Sequence, residues 1–205
     1  MPKVVVLLQP AAADWEMGHL LPFLRHYLGF DVWTATPDGR AIRTAGGLEL
    51  DPDGLFDTAD IAGADLVVLV GSDSWQTFDD DSLYARLRQR VDAGKATGAI
   101  CAGTLALARA GILKDRPHSS NGAEWLAANA AGYEGEAFYK DVPHAVSDGV
   151  VITAGGLAPI SFAIACAEAA CGPREEISGF WALCRAEFDA LGHGTAKIRE
   201  LGGAA

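Results

Sequence analysis

The chain has 205 residues, half of them hydrophobic, which is enough apolar material to bury one sizeable core. Its 16 Lys and Arg stand against 27 Asp and Glu, a formal net charge of -11, so the phosphate neutralisation that nucleic-acid binding requires has no source and a nucleic-acid partner is set aside. No apolar run approaches the roughly 20 residues of a membrane span, and residues 4–9 are too short for the apolar core of a secretory signal; a cytoplasmic protein with reduced thiols and no membrane partner is expected.

In chain order, residues 3–8 form a continuous Val/Leu run of the kind found in a strand covered on both faces. Residues 14–28 predict a helix with Asp14 as N-cap and Leu20, Phe23, Leu24 and Tyr27 on one face. A strand follows at 31–36. Residues 40–53, with Gly46-Gly47 between short apolar runs, read as a small hairpin outside the core. Strands at 65–70, 97–100 and 149–153 alternate with helices at 82–93 and 159–170, which predicts parallel pairing through right-handed crossovers with helices on both sides. Residues 173–200 form a late helical region containing Trp181, set over a sheet edge or a partner subunit, and 202–205 a frayed tail. No linker or repeat divides the chain, so residues 1–205 are read as a single domain.

Chemistry concentrates where the strand at 97–100 ends at Cys101 and a small-residue helix begins. Ala99-Ile100-Cys101-Ala102-Gly103 matches the small-x-nucleophile-x-small pattern of a nucleophile elbow, in which the flanking residues must be small for strand and helix to approach. Two effects are expected there: the helix N-terminus lowers the thiol pKa, and the Ala102 N–H points to where an oxyanion forms. The plain alternative is that Cys101 is a small buried hydrophobe. Cys166, Cys171 and Cys184 read as packing; with no CxxC pair and no His at zinc-ligand spacing, neither a metal nor a cofactor is expected.

Glu16 shares a helical face with Leu20, Phe23, Leu24 and Tyr27, which predicts an inward carboxyl. Burial would favour its protonated form, able to donate to a thiolate; facing water, it would only complement the helix dipole. The turn Gly71-Ser72-Asp73-Ser74 after the strand at 65–70 could aim backbone N–H groups of Gly71 and Ser72 into the same crevice. Among the histidines His118 is the least unlikely partner for the thiol, although core or surface packing is the default for His19, His26, His118, His144 and His193 alike.

At these residues the sequence resembles the ThiJ/PfpI superfamily. The resemblance covers about residues 2–172, leaving 173–205 as a helical extension, and is carried by Asp14-Trp15-Glu16, Gly71-Ser72-Asp73-Ser74-Trp75, Ala99-Ile-Cys-Ala-Gly103, Ala110-Gly-Ile-Leu-Lys114 and Thr153-Ala-Gly-Gly-Leu157. It implies a class I glutamine-amidotransferase-like fold, a flavodoxin-like three-layer α/β/α sandwich with a mostly parallel sheet. It further implies a reactive Cys101 hydrogen-bonded to the acid at Glu16, an oxyanion pocket from the Ser72 and Ala102 backbone, and a homodimer. Asn121 stands where several members carry a histidine, Val70 where many have proline and Ser72 where many have glycine. Asn121 and Asp14 join the candidate substrate-binding positions. No late His-x-Glu is present, which sets glutaminase activity aside.

Two functions follow. The first is a cysteine-dependent enzyme acting on a small electrophilic substrate, of hydrolase, hydratase or glyoxalase/deglycase-like type, with Cys101 as nucleophile assisted by Glu16. The second is a redox-sensing or stress-protective protein that uses oxidation of Cys101 without turnover.

Overall fold

The structure is a computed structural model, described for residues 1–191. Its strands are β1 (Lys3–Leu7), β2 (Asp31–Thr36), β3 (Ile42–Arg43), β4 (Glu49–Leu50), β5 (Gly54–Leu55), β6 (Leu66–Leu69), β7 (Ala96–Ile100), β8 (Val146–Asp148) and β9 (Val151–Ala154). Seven of them form one sheet in the order β5-β2-β1-β6-β7-β9-β8, parallel throughout except that β8 returns antiparallel along β9. β3 and β4 form the small antiparallel hairpin expected within residues 40–53.

The Val/Leu runs are central because successive side chains point to opposite faces and both faces are covered. Val5, Leu7, Val67 and Leu69 enter one core, with Leu83, Leu87, Leu105 and Leu126 from helices α3 (Asp81–Asp92), α4 (Thr104–Arg109) and α5 (Ala123–Asn129). Val4, Val6, Leu66 and Val68 enter the other, with Met17, Leu20, Phe162 and Ile177 from α1 (Asp14–Gly18), α2 (Leu20–Pro22), α6 (Pro159–Cys171) and α7 (Glu175–Leu191). Three layers result. Cys166 is fully buried where α6 crosses β7, and a Cβ on Gly98 would lie 2.6 Å from its sulfur, so the helix sits on the sheet only because that strand position is glycine.

Several expectations are corrected. Residues 14–28 are helical but not one α-helix: Pro22 has no N–H to donate, and Phe23–Tyr27 continue in a wider π-helical turn. Asp14 is not the N-cap; that position is Ala13, which offers no side-chain bond, and Asp14 lies inside the first turn. By contrast Asp80 caps α3, accepting from the N–H groups of Ser82 (2.9 Å) and Leu83 (3.0 Å). The short elements β5, β8 and α5 carry too few residues to show a period and were not anticipated. The late helix runs over Glu175–Leu191; residues 192–200, which include His193, and the tail at 202–205 lie outside the described residues. No helix of the described residues is long and apolar enough to cross a membrane.

Candidate functional site

The loops that follow β6, β7 and β9 meet the helix that follows β1 at one point on the carboxyl edge of the sheet. Strand order reverses between β1 and β6, the place where an open α/β sheet leaves a crevice. Ile100 is still extended, and the next residue, Cys101, turns to φ +57° at the start of the tight turn Cys101–Gly103 that leads into α4. An L-residue in this left-handed region costs on the order of 1–2 kcal/mol, so the surroundings must hold it. Thr104 Oγ1 donates to the Cys101 carbonyl at 2.6 Å. Gly103 lets the turn sit against β6: a Cβ there would be 2.5 Å from the Leu69 carbonyl oxygen.

Glu16 reaches this point from α1 and is completely buried. Gly71 N–H donates to its Oε2 at 2.6 Å. A Cβ on Gly71 would stand 2.6–2.7 Å from both carboxyl oxygens and 2.6 Å from Cys101 Cβ, so only glycine admits acid and cysteine side by side. Gly156 closes the other side, where a Cβ would meet Cys101 Sγ at 3.0 Å and Glu16 Oε1 at 3.1 Å. Oε1 makes no fully formed hydrogen bond and interacts with the thiol it faces. Burial pushes Glu16 up to about 7, against the opposing pull of the Gly71 N–H and the thiol.

The expected lowering of the Cys101 thiol is not what the site produces. Burial first, then the charge of Glu16, push it up to about 11, outweighing the Asn121 amide and the Ala102 N–H that pull it down. The helix N-terminus at α4 is one turn of a short helix and cannot offset desolvation beside a carboxylate. The repulsion from Glu16 exists only while Glu16 is charged. When the proton sits on Oε1 instead of Sγ, the repulsion vanishes and an O–H can face the sulfur, so the two groups share a proton and titrate as a pair.

Asn121 completes the surroundings. Its Oδ1 accepts from Gly156 N–H at 3.0 Å, which turns its amide nitrogen to the sulfur, and Nδ2 donates to Sγ at 3.0 Å. Trp15 Nε1 donates to the Gly156 carbonyl at 2.8 Å, so a chain of bonds runs from the indole through Gly156 and Asn121 to the sulfur. Trp15 and Gly156 stand in motifs that carry the family resemblance, but the sequence assigns neither a role at the site. The Gly155-Gly156 pair just past a strand was the available signal.

Other candidates are placed elsewhere. His118 is fully buried; Nδ1 is bonded to the Arg116 carbonyl (2.8 Å) and Nε2 to the Tyr133 hydroxyl (2.6 Å), so neither nitrogen is offered to the sulfur. His19, His26 and His144 are exposed. The Asp14 carboxylate is spent on the hairpin, accepting from the Thr44 hydroxyl and Gly46 N–H, which hold it below its usual value. Gly71 N–H is committed to Glu16 rather than to an oxyanion. The Ser72 side chain is tied to the Pro10 carbonyl and the Ser74 N–H. Among the described residues no group of three or more His, Cys, Asp or Glu is gathered to hold a metal ion.

Glu16 binds its proton more tightly in the folded chain than an ordinary glutamate at 4.5 does. Between those values the folded state carries the extra proton, so its stabilising contribution is complete below about 4.5 and is lost as pH rises through about 7. At about 1.4 kcal/mol per pH unit the full span is worth about 3 kcal/mol. Urea unfolding of wild type and Glu16→Gln at pH 5 and pH 8 is expected to show the variant gaining on wild type at the higher pH. An unchanged difference between the two would refute this assignment.

Comparison with known proteins agrees with this fold. The chain is 32% identical over 169 residues to a Bacillus subtilis protein described as the uncharacterized protease YoaZ, covering 79% of this chain and 80% of that protein. Among solved structures, the DJ-1 superfamily protein Atu0886 of Agrobacterium tumefaciens is 34% identical with a TM-score of 0.83, over 91% of this chain and 99% of that one. A thiJ/pfpI family protein of Bacillus anthracis is 28% identical with a TM-score of 0.78, over 98% and 96%. The family model described as DJ-1/PfpI matches residues 2–169, and the chain that places Cys101 at this elbow belongs to the DJ-1/PfpI family.

Proposed function

We propose that the protein is a cysteine-dependent enzyme acting on a small electrophilic carbonyl or related compound, with hydration or hydrolysis completing turnover. The observation that carries this reading is the pairing of a strained, partly accessible Cys101 with a buried carboxyl whose free oxygen faces it. Glu16 Oε1 takes the thiol proton as the sulfur adds to the electrophilic carbon, forming a C–S bond while the carbonyl electron pair moves to oxygen. The backbone N–H groups of Ser72 and Ala102 receive that anion, and Glu16 returns its proton to it. Where that carbon carries a leaving group, Glu16 draws the proton back as the carbonyl reforms and passes it to the departing group, which leaves a thioester on Cys101. Water then adds to the thioester carbon, losing a proton to Glu16, and the C–S bond breaks as that proton returns to the sulfur. A proton carrier with a pKa near neutrality suits both directions.

The Bacillus subtilis relative is described as a protease, which supports a hydrolytic member of this class. Amide hydrolysis also demands protonation of a poor amine leaving group, commonly by an imidazole. His118 is bonded elsewhere, so activated carbonyls are favoured over peptide bonds. Oxidation of Cys101 without turnover is the second reading, favoured by the Asn121 amide, a donor that could equally hold a sulfenate oxygen.

The pH dependence of Cys101 alkylation by iodoacetamide tests the pair. The rate is expected to rise about tenfold per pH unit up to about 7, as the pair loses its first proton, to level off, and to rise again towards about 11. Glu16→Gln should delete the first step. A single inflection at an ordinary thiol value, unmoved by that substitution, would sink the proposal. Mild peroxide followed by intact-mass measurement separates the readings: selective oxidation of Cys101 with no turnover in an electrophile screen would favour the sensor.

A further inference from the structure

Asn121 is aimed by the segment that precedes it, and residues 118–121 are pinned from three sides. Ser119 N–H donates to Thr153 Oγ1 (2.9 Å) and Ser119 Oγ donates to the Thr153 carbonyl (3.2 Å), seating the segment on β9. Ser120 Oγ pairs with Thr104 Oγ1 at 2.7 Å. The Thr104 proton already goes to the Cys101 carbonyl, so Ser120 is the donor in that pair. The third tie is Tyr139. Its hydroxyl donates to the Ser120 carbonyl (3.0 Å) and accepts from the Ser120 N–H (3.3 Å), satisfying both backbone groups of the residue before Asn121.

Tyr139 is braced in turn. Lys140 N–H donates to the His118 carbonyl at 2.8 Å, and the rings of His118 and Tyr139 meet edge to face with centroids 5.7 Å apart. His118 cannot turn away, because both its nitrogens are engaged. A buried imidazole that the mechanism does not use thereby acquires a place in the structure.

We propose that Tyr139 is a positioning residue that sets the Asn121 amide on the Cys101 sulfur, with His118 as the brace of its ring. The proposal rests on the reading of Cys101 as the reactive group. It extends that reading by naming the phenol, two hydrogen bonds removed from the sulfur, on which the geometry of the amide depends. Ser120 is nearly buried, so water cannot freely replace the phenol at its backbone groups.

The test is the pH profile of Cys101 alkylation in wild type, Tyr139→Phe, Asn121→Ala and the double variant. Tyr84→Phe serves as a control that loses a remote hydroxyl bond to Phe78. The Asn121 amide pulls the thiol down, so its loss should shift the upper inflection to higher pH. Raising a thiol pKa by one unit removes about tenfold of the thiolate but makes it about threefold more nucleophilic, so the rate at neutral pH should fall about threefold. Tyr139→Phe is expected to move the profile in the same direction, and to add nothing in the Asn121→Ala background. Tyr84→Phe is expected to leave the profile in place even if it lowers the melting temperature.

The proposal is overturned if Tyr139→Phe leaves the profile unmoved while Asn121→Ala shifts it, if the two effects add in the double variant, or if Asn121→Ala itself has no effect. None of these readouts needs turnover. Absence of turnover in the screen would count against the enzyme reading alone.

Discussion

Turnover of any electrophile found by screening is expected to vanish in Cys101→Ala, a loss on the order of 10^4-fold or more, because the reaction loses the atom that forms the bond. The fold should survive. Alanine has the same cost at φ +57° as cysteine, and the Thr104 bond to the residue 101 carbonyl does not involve the side chain. Circular dichroism and urea unfolding therefore belong beside the rate measurement. Cys101→Ser is an informative companion: a hydroxyl resists deprotonation far more than a thiol, and Glu16 at about 7 is too weak a base to compensate. Full activity in either variant would remove Cys101 from the chemistry.

The largest stability effect is expected from Gly103→Ala. Its Cβ would stand 2.5 Å from the Leu69 carbonyl oxygen and 2.9 Å from the carbonyl carbon. That neighbour is the backbone of a central strand and cannot rotate out of the way as a side chain could. The turn after Cys101 must then lift from β6, at a cost of about 3 kcal/mol or more. Gly18→Ala is the matched control, since nothing lies within 4 Å of its would-be Cβ and alanine suits a helix better. Denaturant titration of the two variants should show opposite signs. A neutral Gly103→Ala would mean that strand and helix are not in the close contact on which the elbow depends.

The elbow was readable because it is local. Five consecutive residues, Ala99 to Gly103, carry the strand end, the nucleophile and the small neighbours the turn needs. The parallel sheet was readable for a related reason: runs such as residues 4–7 and 66–69 have no polar alternation, which only a strand covered on both faces tolerates. Glu16 was legible through its spacing to Leu20, Phe23 and Leu24, whereas Tyr27, read onto the same face, is exposed because the helix changes hydrogen-bonding pattern after Pro22.

The surroundings of the sulfur were not legible in the same way. Asn121, Gly156 and Trp15 come from three segments, and their chain of hydrogen bonds exists only once the loops after β7 and β9 and the helix after β1 converge. His118 looked like a base because of its residue type, and became a brace because folding spent both its nitrogens. Asp14 looked like a cap or a substrate contact, and was taken by a hairpin about 30 residues away in sequence.

Residue order alone therefore settled the layer architecture, the strand that ends at Cys101 and the inward face of Glu16, since each follows from periodicity or from neighbours along the chain. The direction of the thiol's pKa was decided by assembly. A helix terminus visible in the sequence argued for lowering it, whereas desolvation and the proximity of a carboxyl, which arise only when distant segments close around the sulfur, raise it to about 11.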